Sequence, residues 1–254
     1  MRKLLFNVAI LTVMLVITGA IDTSDAEDIK TVEILGVHYP PYEIEEPSDG
    51  RRGYDLEVIE AAFAKVNIKT KFNFVPWNRA KKTVEAGGAA ALMSCSYRSE
   101  REELYLYSDV ISSATRGLYA REGYSGPVVQ KLEDVRSQAF SKLNIGVVQG
   151  YAQEKELKKL EVTYDPAPND TAGIKKLLSG RTDLFLTTKE NTEYLLHEMG
   201  ETKKLHFFQL LQARYYVCFG KKTPGVEKLR SEFNRGLRIL FLNGEYDRIH
   251  DNYR

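Results

Sequence analysis

Apolar positions first fall into strand spacing at TVEILGV, Thr31 to Val37, just before the run YPPYE. Pro40 and Pro41 cannot donate to a β ladder, so the strand ends there and a loop follows. The turn residues of SDGRRG then lead into YDLEVIEAAFAKV, where Leu56, Ile59, Phe63 and Val66 recur at helical spacing. IKTKFNFV alternates Ile68, Thr70, Phe72 and Phe74 with polar residues, the pattern of a half-buried strand. A second helix is predicted over Trp77 to Ala86, closed by Gly87 and Gly88, and AALMSC forms a third short strand. Strand, helix, strand, helix, strand is the order of a parallel α/β sheet.

A second set of elements follows. GLYARE, Gly117 to Glu122, reads as a strand ending at the Gly/Pro loop Tyr124 to Pro127, and LEDVRSQ, Leu132 to Gln138, as a short amphipathic turn. LNIGVVQG is a strongly apolar strand. A helix at Gln153 to Leu160, a strand at Val162 to Tyr164 and a helix at Thr171 to Leu178 come next. A strand at Asp183 to Thr187 and a helix at Asn191 to Met199 complete the set. HFFQLL and RYYVCFG are two further β-like runs, and helices through VEKLRSEFNRGLRILFL and YDRIHDNY close the chain. With no third sheet for these to start, the economical arrangement is an α/β chain of two lobes, one discontinuous, each a sheet flanked by helices. Residues 27–117 and 213–254 form lobe 1 and residues 118–212 form lobe 2. The chain crosses near Arg116 to Tyr119 and returns near Leu211 to Tyr215, making a two-strand hinge beside a cleft where ligands favour binding.

The N-terminus changes the picture by adding a compartment. Arg2 and Lys3 precede an apolar run from Leu4 to Ile17 and the small residues Thr18, Gly19 and Ala20, which reads as a signal peptide over residues 1–26. The run is shorter than the roughly 20 residues of a bilayer span. Cleavage fits after Ala20 or after Ala26, and the expectation is a soluble, periplasmic protein. With 36 Lys and Arg against 35 Asp and Glu, the net charge of +1 offers no global field for nucleic acid.

Two cysteines, Cys95 and Cys218, lie in apolar strand-like runs and read either as a disulfide or as two buried thiols. His38, His197, His206 and His250 show no metal-ligand spacing, so no metal is expected. No GxSxG, HExxH or P-loop pattern occurs, and no cofactor is implied.

The ordered marks YPPYE, GYDLEVIEAAF, VPWNRA, SEREELYLYS, IGVVQG, SGRTDLFL, YYVCFGKKTPGVEKL and LNGEYDRIHDNY resemble those of the bacterial extracellular solute-binding proteins of family 3. These are the amino-acid-type periplasmic binding proteins of ABC transporters. The resemblance implies a type 2 periplasmic-binding-protein-like fold. Tyr39 and Trp77 match two aromatic positions that could sandwich a ligand, although Trp77 also suits a core anchor. Tyr42 reads better as packing under the prolines. Arg101 falls seven residues before Ser108, the family's interval for the arginine that clamps a carboxylate, and Ser94 and Ser96 match the same wall. From spacing alone Arg101 reads equally as an exposed charge paired with Glu100 or Glu103.

Departures from the family pattern bear on the ligand. Arg98 adds a second guanidinium that either accepts a second acidic group or points to solvent. In the second lobe Gly150, Tyr151 and Ala152 stand at the anion-holding turn, where Tyr151-Ala152 replaces the usual hydroxyl pair and leaves backbone N–H groups as donors. Thr188 stands where amino-acid binders carry the Asp that takes the ligand's ammonium, and a neutral hydroxyl does not offset burial of that charge. Glu190 substitutes only if its loop is rearranged.

The expected function is a monomeric binding protein rather than an enzyme. It captures a small-molecule ligand, an amino acid or related carboxylate, and delivers it to the permease of an ABC transporter. Two alternatives stand beside it. One is a periplasmic enzyme similar to cyclohexadienyl dehydratase, with Glu43 or Glu190 as general acid. The other is a ligand-sensing receptor for a membrane sensor.

Overall fold

The computed structural model describes residues 31–47, 49–202 and 204–253; the signal segment expected over 1–26 lies outside the described residues. β1 (Thr31–Gly36) lies between two parallel neighbours, β2 (Lys69–Phe74) and β3 (Ala91–Ser96). The connecting helices are α1 (Tyr54–Ala64) and α2 (Trp77–Ala86). α1 buries Leu56, Val58, Ile59, Ala62 and Phe63 on the face its spacing predicts. α2 stops at Gly87, whose left-handed φ of 85° suits a residue without Cβ.

Two strands then leave this sheet. β4 (Tyr105–Tyr107) is a short addition to its edge, and β5 (Ser112–Arg121) runs out of it. β6 (Ile145–Val148), α3 (Ala152–Lys159), β7 (Tyr164–Ala167), α4 (Asp170–Leu178), β8 (Leu184–Thr188) and α5 (Lys189–Glu198) make a second α/β unit. β9 (Leu205–Gly220) returns, and α6 (Val226–Leu242) and α7 (Glu245–Asp251) end the chain. α6 lies against α1, and a Cβ at Gly236 would collide with the Ala62 carbonyl, so this close approach requires glycine.

The strand order is β2-β1-β3-β9-β5-β8-β6-β7, with β4 also on β9. The apolar core divides accordingly. Ile34, Leu56, Phe63, Phe219, Phe233 and Leu237 pack on one side. Leu118, Val147, Leu157, Leu184, Leu186 and Phe208 pack on the other, beside Ile174, Leu177 and Phe185. The fold is a two-lobe α/β fold joined by β5 and β9.

Three sequence expectations change. HFFQLL and RYYVCFG form one 16-residue strand, β9, rather than two. Gln212 and Ala213, between the two runs, are part of the strand, and the exposed Gln209, Leu211 and Gln212 mark the passage from one core to the other. A register shift there pairs Arg116 with Leu211 but Gly117 with Gln209, a bulge of the kind that adds local twist. β5 begins five residues before the expected Gly117, and the strand expected at Val162 to Tyr164 is β7, displaced to Tyr164–Ala167, with Pro166 tolerated on an edge.

Cys95 and Cys218 are bridged, with Cα atoms 5.9 Å apart and a sequence separation of 123 residues. The bond ties β3 to the C-terminal half of β9 beside the cleft.

Candidate functional site

The loop after β1, the start of α2, the end of β3 and the start of α3 converge on a cavity of about 50 Å³ between the lobes. Its walls include Tyr39, Glu43, Trp77, Ser94, Ser96, Arg101, Tyr151, Ala152, Gln153 and Tyr215. A space of about 10–15 Å³ on this scale holds one water, so the cavity suits a polar head of a few heavy atoms. An outer cleft of about 490 Å³ shares the Val37, Trp77 and Tyr151 walls and adds His38, Asn78 and Asp170.

Arg101 ends a short 3-10 turn, Ser99–Arg101, and is 4% exposed. One guanidinium nitrogen donates to the Ser96 carbonyl at 3.2 Å and reaches Cys95 Sγ at 3.8 Å. Among the described residues it enters no ion pair, unlike the Glu100 or Glu103 partnership that spacing alone allowed. Burial pulls its pKa below the usual guanidinium value. A fork held this way presents its remaining donors to an anion.

Behind Arg101 lies a region of buried acid. Ser94 sits in a register shift of β3 with φ of 44°, the left-handed region that non-glycine residues avoid at a cost of about 1–2 kcal/mol. The shift turns its hydroxyl onto Asp55 Oδ2 at 2.7 Å. Asp55 is fully buried, its Oδ1 has no regular hydrogen bond among the described residues although the Ser112 hydroxyl lies near, and burial raises its pKa to about 7. Glu43 is 1% exposed, and its Oε2 accepts from Val37 N–H at 3.1 Å. Burial, with Asp55 nearby, lifts its pKa to about 8. Gly36 makes the room: a Cβ there would collide with Glu43 Oε2.

The second lobe meets this wall with satisfied groups. Tyr151 places its ring edge-on to both Tyr39 and Trp77, with centroids 6.1 and 6.4 Å away, and its hydroxyl donates to Asp170 Oδ2 at 2.9 Å. Burial lifts Asp170 to about 6. Glu154 accepts from Gly150 N–H at 2.7 Å. Arg98 of the first lobe and Arg116 of β5 both ion-pair with Glu156 of α3. Lys81 donates to the Gly150 carbonyl at 3.3 Å, and Asn191 donates to the Pro40 carbonyl at 2.7 Å.

Seven residues that the sequence marks for ligand contact, Tyr39, Trp77, Ser94, Ser96, Arg101, Tyr151 and Ala152, thus share the inner cavity with Glu43, one of the two general-acid candidates. Gly150 and Thr188 do not line it. Gly150 faces Asn78 and Lys81 at the rim, while Thr188, fully buried, lies beside the Tyr39 and Tyr215 hydroxyls without a regular hydrogen bond. Tyr39 and Tyr215 share a hydrogen bond of 3.0 Å between those hydroxyls. Arg98 neither points to solvent nor reaches the cavity, because Glu156 holds it. Glu190 accepts from Thr115 N–H at 3.0 Å and Tyr42 hydroxyl at 3.2 Å, so it serves the interlobe contact instead of the cavity. Sequence reasoning gave Glu43 no binding role and missed Asp55 and Tyr215. An acid within YPPYE was the one available signal for Glu43.

The curated L-arginine-binding protein of Pseudomonas aeruginosa is 24% identical over 232 residues, covering 85% of this chain and 84% of that protein. Among solved structures, a histidine kinase sensor domain with similarity to periplasmic binding proteins superposes with a TM-score of 0.78 at 20% identity, covering 89% of this chain and 96% of that one. An ancestral amino acid-binding protein, a precursor of cyclohexadienyl dehydratase, gives a TM-score of 0.71 at 16% identity, covering 87% and 94%. These likenesses establish a periplasmic-binding-protein-like fold. With residues 34–254 matching that family, the chain belongs to the bacterial extracellular solute-binding proteins, family 3.

Proposed function

We propose that the protein is exported by a cleaved signal peptide over residues 1–26 and captures a small carboxylate-bearing solute, an amino acid or a relative of one. The solute lies between lobe 1, residues 27–117 and 213–254, and lobe 2, residues 118–212, and the loaded monomer delivers it to the permease of an ABC transporter. The observation that carries this proposal is Arg101, a buried cation on the cavity wall that no described acid neutralises. Closure requires contacts that differ between open and closed forms, and Tyr151 and Glu156 supply them from the second lobe. The name of the arginine-binding relative supports an amino-acid-like solute.

The test is a thermal-shift screen of amino acids, amines, organic acids and sugar acids, because a ligand of the folded state raises the melting temperature by mass action. A hit should shift wild type and not Arg101→Met; an equal shift in both removes the clamp.

A second proposal rests on Glu43, whose pKa of about 8 keeps a proton available at neutral pH in the same cavity. General-acid elimination from a cyclohexadienyl acid would use that proton. Turnover of prephenate or arogenate, lost in Glu43→Gln, would establish an enzyme; substrate recovered unchanged would leave the binding protein.

A further inference from the structure

We propose that Glu43, backed by Ser94 and Asp55, receives a cationic ammonium group of the ligand, the role that Thr188 lacks the carboxylate to perform. This rests on the Arg101 clamp proposed above and identifies the ligand class as a zwitterion. Thr188 is a hydroxyl beside two phenols and does not line the cavity. Of the other cleft acids, Asp170 is held by Tyr151, Glu190 by Thr115 and Tyr42, and Glu156 by two arginines. Glu43 lines the same inner cavity as Arg101, almost wholly buried, and Val37 N–H donates to one of its oxygens.

Counting charge selects the ligand. Arg101 contributes one buried positive charge, and Glu43 and Asp55 are acids whose ionised forms burial disfavours. With Asp55 protonated, a carboxylate on Arg101 and an ammonium on Glu43 leave the filled site neutral, with each buried charge paired. A second carboxylate in place of the ammonium would face two acids and remain unpaired. The groups facing Glu43 are Asp55 from α1, Ser94 from β3, the Val37 amide and, from the second lobe, Tyr151. None is a cation. As the ammonium docks, the Glu43 carboxyl gives its proton to solvent and the carboxylate that remains pairs with the ammonium. Gly36 is part of the device, because any side chain there would displace the acid.

The experiment is calorimetry on the full mature chain with matched probes: L-alanine and propionate, L-glutamine and 4-carbamoylbutyrate, L-arginine and 5-guanidinopentanoate. At least one amino acid should bind wild type, its deaminated partner should bind far more weakly, and Glu43→Gln should lower amino-acid affinity about 30-fold or more. Titrations at pH 7 in buffers of different ionisation enthalpy should show proton release approaching one per ligand in wild type and none in Glu43→Gln. Because Gln mimics the protonated acid, the variant should fold, which its melting curve checks. Deaminated acids binding as tightly as their partners, or Glu43→Gln binding normally while Arg101→Met does not, would overturn the ammonium site and leave the clamp standing. Failure of every probe to bind would overturn both.

Discussion

On the first lobe the cleft wall carries Arg101 without a counter-ion among the described residues, Glu43 and Asp55 with raised pKa values, and Ser94 in a left-handed conformation. On the second, Asp170, Glu154, Glu156 and Glu190 are each taken up by a phenol, an amide or an arginine. The first wall holds groups whose burial is costly until something pairs with them. The second is content without a ligand and uses its polar groups to meet its neighbour. On the proposed function, recognition is concentrated on the lobe stapled by the disulfide, and closure on the lobe that docks against it.

Opening the staple should have the largest effect. Replacing Cys95 and Cys218 together by Ser should lower unfolding free energy by about 3–5 kcal/mol, since the bridge closes a loop of 123 residues, and denaturant unfolding reads this. Arg101→Met should weaken solute binding on the order of 100-fold while leaving the ligand-free melting temperature unchanged or higher, because it removes an unpaired buried charge. Equal losses of binding and stability would mean that Arg101 is structural.

Glu43 contrasts the walls through pH. Its folded carboxyl holds a proton up to about pH 8 and its unfolded one only to about 4.5, so the folded state binds more protons between those values. The ligand-free protein should therefore lose stability as pH rises through that window. Glu43→Gln should recover roughly 3 kcal/mol at pH 7. Melting curves from pH 4 to pH 9 check this.

Arg98→Ala cuts a cross-cleft ion pair whose side chains are about one-fifth exposed, so a loss of about 1 kcal/mol from the closed form is expected. A larger radius of gyration for the ligand-free protein in X-ray scattering would record it. The smallest effect should come from Thr188→Val, whose hydroxyl makes no regular hydrogen bond. Stability should change by about 0.5 kcal/mol or less, and binding should be unaltered. A large loss of binding there would move recognition to the second wall.

Much of this architecture was legible because it depends on local periodicity. Leu56, Ile59 and Phe63 place α1, and Gly87 and Gly88 stop α2, whatever surrounds them. β9 was misread where periodicity failed, since Gln209 and Gln212 are polar only because the strand is passing between two cores. β4, three residues long, has no period to read.

The residue types of the clamp, its interval to Ser108 and the missing carboxylate at Thr188 are properties of the sequence itself, because a guanidinium or a hydroxyl has the same chemistry in any setting. What Arg98 and Glu43 do is not. Both are ordinary charged residues in the chain, and only folding decides that Glu156 takes one while the space at Gly36 buries the other. Burial and pairing are set by residues distant in sequence, and they turn a loop glutamate into an acid of pKa about 8 lining the same cavity as Arg101.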